Sequence, residues 1–236
     1  MIGAIIIVGC AAFLAALFFS GPTISKKKTA VGWREDFSVL PVSGRSALPK
    51  GWVLQRKPGT RSAVFSVAKD AGSGGSFLRM ESDKASAALI TRPYGVDLKK
   101  TPLVRWRWRA TTLPNGADGR QRAKDDQAIG IYIGAGNALN NKSVSYRWDT
   151  ETPKGSEGNC AYGLGSTRVK WYTLRNKEDL GGGLWFTEER DVARDFMSAW
   201  GFCPETVYVS VSCNSQYTRS AASADLAWIE FAGNAQ

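Results

Sequence analysis

Residues 103–110 read Leu-Val-Arg-Trp-Arg-Trp-Arg-Ala, a strict alternation of cationic side chains with apolar ones. Successive side chains of a β-strand point to opposite faces, so this stretch predicts a strand with both tryptophans on one face and Arg105, Arg107 and Arg109 on the other. Tryptophan is favoured in strands and buries a large apolar area, which places the tryptophan face in a core. The arginine face then lies in water or against polar partners.

A second stretch repeats this design. Residues 144–149 read Val-Ser-Tyr-Arg-Trp-Asp, which puts Arg147 and Asp149 on the face opposite the tyrosine and the tryptophan. If the two strands are neighbours in one sheet, one face of that sheet carries several arginines. Guanidinium groups suit the carboxylate, sulfate or phosphate of an acidic glycan or a lipid headgroup. The alternative is a solvated face whose charge is neutralised by neighbouring acids.

Similar short runs recur along the whole chain, separated by turn residues such as Pro58-Gly59 and Pro114-Asn115-Gly116. They predict ten or eleven strands, which is typical of an all-β sandwich or barrel. The predicted strands are Val53–Gln55, Ala63–Val67, Phe77–Glu81, Ala87–Thr91, Leu103–Ala110, Ala128–Ile133, Val144–Asp149, Arg168–Leu174, Leu184–Thr187, Val207–Ser212 and Leu226–Phe231. One short helix is predicted over Asp191–Trp200, with Gly201 placed to end it.

The amino terminus carries an uncharged apolar run, Ile2–Phe19, followed by the basic cluster Lys26–Lys28. At about 1.5 Å per residue, a helix of this length spans roughly 27 Å, which is enough for a bilayer core. The run is either a cleaved signal peptide or a retained transmembrane anchor, and its poor cleavage site favours the anchor. We therefore divide the chain into an anchor or signal segment at residues 1–23, a basic linker at 24–33 and a β-sandwich at 34–236.

Three cysteines lie outside the apolar run: Cys160, Cys203 and Cys213. A predicted strand separates Cys203 from Cys213 and holds their Cα atoms too far apart for a disulfide. If a disulfide exists, it joins Cys160 to Cys203 or to Cys213. The alternative is three free thiols that act as small apolar side chains.

The sequence contains no histidine. This excludes the usual Ser-His-Asp and Cys-His catalytic arrangements and histidine metal sites. A carboxylate pair such as Asp149 and Glu151, two residues apart on a strand, has the spacing that a glycosidase needs. Acid pairs at strand ends more often cap turns, pair with arginines or hold a structural calcium ion. We expect no catalysis, and no cofactor other than a structural calcium.

The chain has 31 Lys and Arg against 21 Asp and Glu, a formal net charge of +10. Such a surface attracts anionic lipid headgroups, acidic polysaccharide or nucleic acid. The chain carries no zinc-finger spacing, RNA-binding signature or basic helix, so nucleic acid is not an expected partner.

The order of motifs also resembles a known family. These motifs include Gly51-Trp52, the strand at 103–110, Asp125-Asp126 before the Ile129–Ile133 run with Tyr132, Tyr146-Arg147-Trp148, and Glu189-Arg190-Asp191-Val192. In this order they resemble the bacterial family catalogued as domain of unknown function 3047, from about Arg34 to Phe231. The resemblance implies an exported jelly-roll sandwich, galactose-binding-like in fold, with no established activity. The chain departs from the family at residues 213–218, where Cys-Asn-Ser-Gln-Tyr-Thr replaces an Asp-rich turn.

The location of the folded domain follows from two opposing signals. The positive-inside rule would place the Lys26–Lys28 cluster in the cytoplasm. The cysteine usage and the family resemblance favour the periplasm. We therefore expect a protein anchored in the inner membrane through residues 2–19, with the folded domain in the periplasm.

The leading hypothesis is a membrane-tethered, non-catalytic module that binds an anionic glycan or another envelope component. The runner-up is an accessory subunit of a larger membrane complex, and a carboxylate-based polysaccharide-active enzyme ranks third. The candidate ligand-binding residues are Arg105, Arg107, Arg109, Asp126, Tyr132, Arg147, Asp149 and Arg190.

Overall fold

A computed structural model of the chain describes residues 32–43, 48–72, 74–137, 139–162 and 165–233. The apolar run at residues 2–19 lies outside the described residues, as does most of the basic linker. Among the described helices, none has the length and apolar character needed to cross a bilayer.

Thirteen strands, one α-helix and three short 3-10 helices, at Phe37–Val39, Arg122–Lys124 and Lys177–Asp179, make up the regular structure of the described residues. The strands are β1 (Arg34–Asp36), β2 (Val53–Arg56), β3 (Val64–Lys69), β4 (Ser76–Asp83), β5 (Ser86–Thr91), β6 (Leu103–Thr112), β7 (Gln127–Gly136), β8 (Asn141–Trp148), β9 (Glu157–Tyr162), β10 (Thr167–Arg175), β11 (Phe186–Asp191), β12 (Tyr208–Asn214) and β13 (Ala221–Ala232). The helix α1 spans Val192–Trp200.

The strands form two sheets. The six-stranded sheet has the order β11-β6-β13-β4-β3, with β1 also paired to β13, and the seven-stranded sheet has the order β2-β5-β12-β7-β8-β10-β9. Every pairing is antiparallel except β8 with β10. The chain passes repeatedly from one sheet to the other, which gives a jelly-roll-like sandwich. The predicted all-β sandwich with one short helix is confirmed.

The core lies between the two sheets and is rich in aromatic rings. Trp106 stacks on Tyr146 with ring centroids 5.2 Å apart, and Trp108 meets Trp148 edge-on at 5.6 Å. All four side chains are fully buried. The tryptophan faces of β6 and β8 therefore face each other across the core, as their alternation predicts.

Strands β6 and β8 belong to different sheets, so the condition for a shared arginine surface, that they are neighbours in one sheet, is not met. Their arginines point away from each other, on opposite outer faces of the sandwich. Alternation fixes which face of a strand is buried, but it does not say which strand lies beside it. The single surface that was to combine Arg105, Arg107 and Arg109 with Arg147 does not form.

The helix α1 begins and ends where the sequence indicates. The Asp191 carboxylate accepts a hydrogen bond from the Arg194 backbone N–H at 2.9 Å, which caps the first turn. Gly201 follows the helix with a φ of 76°, a left-handed conformation that glycine adopts without strain. Val192 and Phe196 anchor the helix in the core.

All three cysteines in the described residues are free thiols, which is the second of the two alternatives, and no disulfide joins Cys160 to Cys203 or Cys213. Cys213 is fully buried in the main core, whereas Cys160 packs with Tyr132 on the outer side of the seven-stranded sheet. The two thiols thus lie on opposite faces of one sheet. Cys203 lies in the segment after α1.

A candidate binding site on the seven-stranded sheet

The outer face of the six-stranded sheet carries the three arginines of β6, and acids neutralise two of them. Arg105 pairs with Glu189. Arg109 donates to Asp225 at 2.7 Å, and Asp225 is fully buried. Arg79 donates to the same carboxylate through two nitrogens, at 2.9 and 3.0 Å. These contacts fit the alternative considered above, an arginine face neutralised by acids.

Two further predicted site residues lie apart from any common surface. Arg107 is exposed, lies 5.5 Å from the centre of the Trp185 ring and forms no ion pair with the described residues. Arg190 points to the end of the core, where it donates to Asp195 at 2.9 and 3.0 Å. Asp195 also accepts from the Tyr146 hydroxyl at 2.7 Å. Arg190 therefore fastens α1 to the sheets.

The outer face of the seven-stranded sheet has a different character, because buried polar side chains alternate with core residues on two of its strands. On β8 these are Ser143, Ser145 and Arg147, and on β12 they are Ser210, Ser212 and Asn214. Strand β7 lies between β8 and β12. The register aligns Ser212, Gly130 and Arg147 in one row and Ser210, Tyr132 and Ser145 in the next.

Three aromatic rings pack closely on this face, each against a glycine, and all three are buried. Tyr132 covers Gly130, where a Cβ atom would stand only 2.8 Å from the ring. In the same way Tyr208 covers the backbone of Gly134, and Trp171 covers that of Gly158. Any larger residue at these glycines would lift the rings. The glycines therefore let the rings approach the backbone of this face closely.

Arg147 lies at the centre of this face and is fully buried. Its Nη1 donates to Asp125 at 2.8 Å, and its Nη2 lies 3.7 Å from the Cys160 sulfur. The guanidinium carbon is 5.2 Å from the centre of the Trp171 ring. Burial by itself would lower the pKa of Arg147, but the Asp125 carboxylate raises that pKa well above its usual value. Arg147 is therefore a permanent cation with one carboxylate partner.

Two more carboxylates border the cluster. Asp149 is fully buried, and burial raises its pKa to about 6 although Arg147 opposes the rise. Its Oδ2 accepts from the Thr173 hydroxyl at 2.9 Å. Burial also raises the pKa of Asp126, whose Oδ2 accepts from the Thr218 backbone N–H at 2.7 Å.

Several buried polar atoms on this side of the molecule have no hydrogen-bond partner among the described residues. They are Ser145 Oγ, Arg147 Nε, Ser212 Oγ, Asn214 Oδ1, and Oδ1 of both Asp126 and Asp149. Buried polar groups in native proteins almost always have partners, so such a concentration requires an explanation. We call this cluster the Arg147 site and define it by Asp125, Tyr132, Ser145, Arg147, Asp149, Cys160, Trp171, Ser212 and Asn214.

The Arg147 site approaches the surface beside Cys160 and Tyr217, which are both partly exposed. Tyr217 packs on the small apolar cluster that includes Tyr132 and Tyr162. Lys57 donates to the Tyr217 hydroxyl at 3.1 Å. The turn that carries Tyr217 therefore lies at the partly exposed edge of the site.

The acid pair with glycosidase-like spacing does not form a catalytic pair. Asp149 is buried, whereas Glu151 is exposed and pairs with Lys177. Across the described ranges, no cluster of three or more Cys, Asp or Glu side chains is arranged to hold a metal ion.

Of the eight predicted ligand-binding residues, the structure brings together three: Tyr132, Arg147 and Asp149. Asp126 lies beside the site and holds the turn at Thr218. The prediction missed the other six residues of the site, which are Asp125, Ser145, Cys160, Trp171, Ser212 and Asn214. A signal for the serines was present, because Ser143-Val-Ser145 and Ser210-Val-Ser212 each place small polar residues on one face of a strand. Trp171 gave no such signal, since an alternating tryptophan is expected in the core.

A family model described as a protein of unknown function (DUF3047) matches residues 50–230. The chain belongs to this family. The match confirms the resemblance drawn from the ordered motifs, and it contains every residue of the Arg147 site. The site of this DUF3047 member therefore lies inside the domain that the family shares. A comparison with curated proteins gave no match.

Solved structures of similar shape are sandwiches from carbohydrate-active proteins. The xyloglucanase domain of NopAA from Sinorhizobium fredii, in complex with cellobiose, is 10% identical over 84% of this chain and 98% of that chain, with a TM-score of 0.48. A family 11 carbohydrate-binding module from Clostridium thermocellum, bound to a mixed-linked tetrasaccharide, is 10% identical over 87% and 98%, with a TM-score of 0.40. Similarity at this level does not carry a ligand or an activity over to this DUF3047 member.

Proposed function

We propose that the domain is a non-catalytic glycan-binding module and that the Arg147 site is its binding site. The proposal depends on one observation, the group of buried polar atoms that have no partner among the described residues and lie beside aromatic rings packed on glycines of the sheet. A sugar offers both complementary features, since its hydroxyls donate and accept hydrogen bonds and its C–H faces pack on aromatic rings.

The energetics favour a polyhydroxylated ligand. A buried donor or acceptor without a partner costs about 1–3 kcal/mol. Serine hydroxyls such as those of Ser145 and Ser212 can donate or accept, so they adapt to a ligand hydroxyl in either orientation. A sugar that forms hydrogen bonds with several of these atoms at once removes the desolvation penalty of each of them.

The separation of Asp149 from Glu151 supports binding without a chemical step. A glycosidase needs two carboxyl groups that flank one scissile bond. Here Glu151 is paired on the surface with Lys177, away from the buried Asp149. Histidine, the commonest general base, is absent from the sequence.

We also propose that the apolar run at residues 2–19 tethers the domain to the inner membrane, with the folded part in the periplasm. The support is the length of the uncharged run, which suffices for a bilayer core. A protein that stays in the membrane fraction after a high-salt wash and is digested by protease added to spheroplasts would agree with this proposal. A protein recovered in the soluble fraction with an intact mass that lacks the run would contradict the tether.

Glycan binding by the full-length protein in mild detergent tests the proposed function. Ser145→Ala and Ser212→Ala each remove a buried hydroxyl without a partner, so we expect unfolding free energies within about 1 kcal/mol of wild type or higher. We expect the affinity for a bound glycan to fall at least tenfold in each variant, because the ligand loses a hydrogen-bond partner.

Arg107→Gln is the matched control, since Arg107 is exposed on the opposite sheet. It should leave the affinity unchanged. Loss of binding in Arg107→Gln, with full binding in both serine variants, would move the site to the six-stranded sheet and overturn the proposal.

A further inference from the structure

We infer that the end of the sandwich at which the chain enters the domain docks on the surface of the bilayer that holds residues 2–19. The inference rests on the proposed tether and adds the surface of the domain that meets the membrane. It depends on where the first described residues join the sheets and on the apolar side chains exposed around that place.

The chain enters the sandwich beside the last residues of β13. The Phe231 backbone N–H donates to the Trp33 carbonyl at 2.8 Å, and Gly32 packs on the Phe231 carbonyl with no room for a side chain. Strand β6 begins opposite the last residue of β13. Helix α1 also begins here, because the Val192 backbone N–H donates to the carbonyl of Pro102 at 2.8 Å. We call this end of the molecule, around Gly32, Pro102 and Val192, the entry end.

Two turns of the seven-stranded sheet lie at the entry end as well. The Lys142 ammonium group, at the start of β8, lies 5.2 Å from the centre of the Phe202 ring, just after α1. The turn that joins β7 to β8 therefore lies beside α1. Strand β5 ends on the same edge, because its last residue, Thr91, pairs with Val209 near the start of β12. Only β12 separates β5 from β7, so roughly 10 Å lies between the two turns.

These turns and α1 carry large apolar side chains that are exposed. Leu139, in the turn after β7, is 86% exposed, more than any other large apolar side chain of the described residues. Tyr94, in the turn after β5, is 69% exposed, and Met197 on α1 is 52% exposed. Single exposed apolar side chains are common, but several at one end of a domain indicate an interaction surface. Tyrosine is enriched at the headgroup level of bilayers, where leucine beside it can reach the acyl chains.

Two exposed lysines lie next to these side chains. Lys99 and Lys100 directly precede β6, and their ion pairs are long, at 3.8 Å to Glu205 and 3.6 Å to Asp97. Such pairs are weak, so the ammonium groups remain open to lipid phosphates. Lysine can keep its ammonium group among the headgroups while its aliphatic stem lies on apolar surface. Since the two acids offset much of the lysine charge, the apolar side chains contribute the larger part of the contact.

The length of the chain before Gly32 favours the bilayer as the partner. Residues 20–31 join the apolar run to Gly32, and twelve residues reach at most roughly 40 Å. Strand β13 has 12 residues and is itself about 40 Å long. The far end of the sandwich can therefore meet the bilayer only if this segment is drawn out to its full length and the domain is inverted. The entry end can meet the bilayer at any shorter extension.

Docking at the entry end also sets the position of the Arg147 site. Arg147 lies six residues beyond Asn141 on β8, a distance of about 20 Å along the strand. With the strands standing on the bilayer, a glycan bound at the Arg147 site is held roughly that far above the headgroups.

Hydrogen exchange of the full-length protein in lipid nanodiscs tests the inference. The discs contain phosphatidylcholine and phosphatidylglycerol and are in excess, so that each disc holds one protein. Mass spectrometry follows the amides of residues 92–100 in wild type and in Leu139→Asp. The new charge in the turn after β7 should lift the entry end from the bilayer, so exchange of residues 92–100 should become at least fivefold faster. Because β12 separates the two turns, a merely local effect of the substitution would not reach these amides.

Leu184→Asp is the matched control. Leu184 is 63% exposed and precedes β11, at the end of that strand away from α1. This variant should exchange residues 92–100 as wild type does, and both variants should keep the unfolding midpoint of wild type. Equal exchange in wild type and Leu139→Asp would overturn the inference. Protection in detergent that rises with protein concentration would also overturn it, because a second copy of the chain would then be the occupant.

Failure of the tether is measured separately. All three proteins should migrate with the discs in size-exclusion chromatography at high salt, because residues 2–19 remain in the bilayer. A protein that leaves the discs would contradict the proposed tether and the docking surface with it. Glycan affinity in detergent should be the same in wild type and Leu139→Asp, since Leu139 lies far from Arg147 on the sheet. The docking surface can therefore fail while glycan binding stands.

Discussion

At the scale of single residues, the main feature of the site is the fully buried Arg147. Asp125 balances its charge, but the Nε of Arg147 has no hydrogen-bond partner among the described residues. Asp125 meets one nitrogen of Arg147, and Trp171 lies over the guanidinium plane. A buried ion pair contributes little to stability by itself, because desolvation offsets most of the attraction. The ion pair with Asp125 fixes the position of the guanidinium, so that Nε and Nη2 of Arg147 are held in one place for a ligand.

Asp149 makes the stability of the domain depend on pH. Its pKa is raised to about 6 in the folded protein from an ordinary value of 3.8. The folded state therefore holds this proton more tightly than the unfolded state does. Above pH 6 the ionised Asp149 carboxylate lowers the free energy of unfolding, and this destabilisation disappears as the pH falls towards 4. A shift of this size corresponds to roughly 3 kcal/mol.

The expected result is that Asp149→Asn is more stable than wild type at pH 8 and that the two proteins converge near pH 4. Urea unfolding at pH 4.5, 6 and 8 measures the difference, and subtracting the two curves cancels the other titrating groups. A difference between the proteins that stays constant with pH would show that Asp149 keeps an ordinary pKa.

At the scale of elements, the alternation of apolar and polar residues predicted the positions of most strands, but it did not predict which strands pair in a sheet. Residues 103–110 and 144–148 form strands whose tryptophans are buried, as expected. The short β1 and the polar β9 were missed, because neither Arg-Glu-Asp nor Glu-Gly-Asn-Cys-Ala-Tyr has an apolar pattern. The Arg147 site depends on the register between β12, β7 and β8, which is a non-local property. Its individual residues were therefore only partly predictable, and their grouping was not.

The turn between β12 and β13 should control entry to the site. It is held by Thr218, whose hydroxyl donates to Asp126 at 2.9 Å, and it carries Tyr217. Thr218→Val keeps the shape and the backbone hydrogen bond but removes the hydroxyl. A hydrogen bond of this kind contributes about 1 kcal/mol, so opening of the turn should become roughly fivefold more frequent.

Alkylation of Cys160 measures this opening and should accelerate by a similar factor in Thr218→Val. Thr187→Val, an equivalent change at an exposed position of β11, is the control and should leave the rate unchanged. Equal rates in wild type and Thr218→Val would show that the turn does not cover the site.

At the scale of the whole molecule, the sandwich keeps its thiols apart. Cys160 and Cys213 lie on opposite faces of the seven-stranded sheet, and Cys203 lies beyond α1. We expect the protein purified under oxidising conditions to retain three free thiols in the folded domain. Intact mass after alkylation in denaturant counts them. A mass short by two alkyl groups would reveal a disulfide and contradict this arrangement.

The aromatic contacts across the core have a further consequence for how folding can be observed. Trp106 touches Tyr146, and Trp108 touches Trp148, only because the two sheets are pressed together. Each strand can form without these contacts, but the electronic coupling between rings at this range requires the closed sandwich. The circular dichroism of the aromatic bands therefore reports the docking of the two layers, separately from backbone signals that report the strands themselves. The intrinsic aromatic residues are therefore sufficient to follow the packing of the two sheets, and no added label is needed.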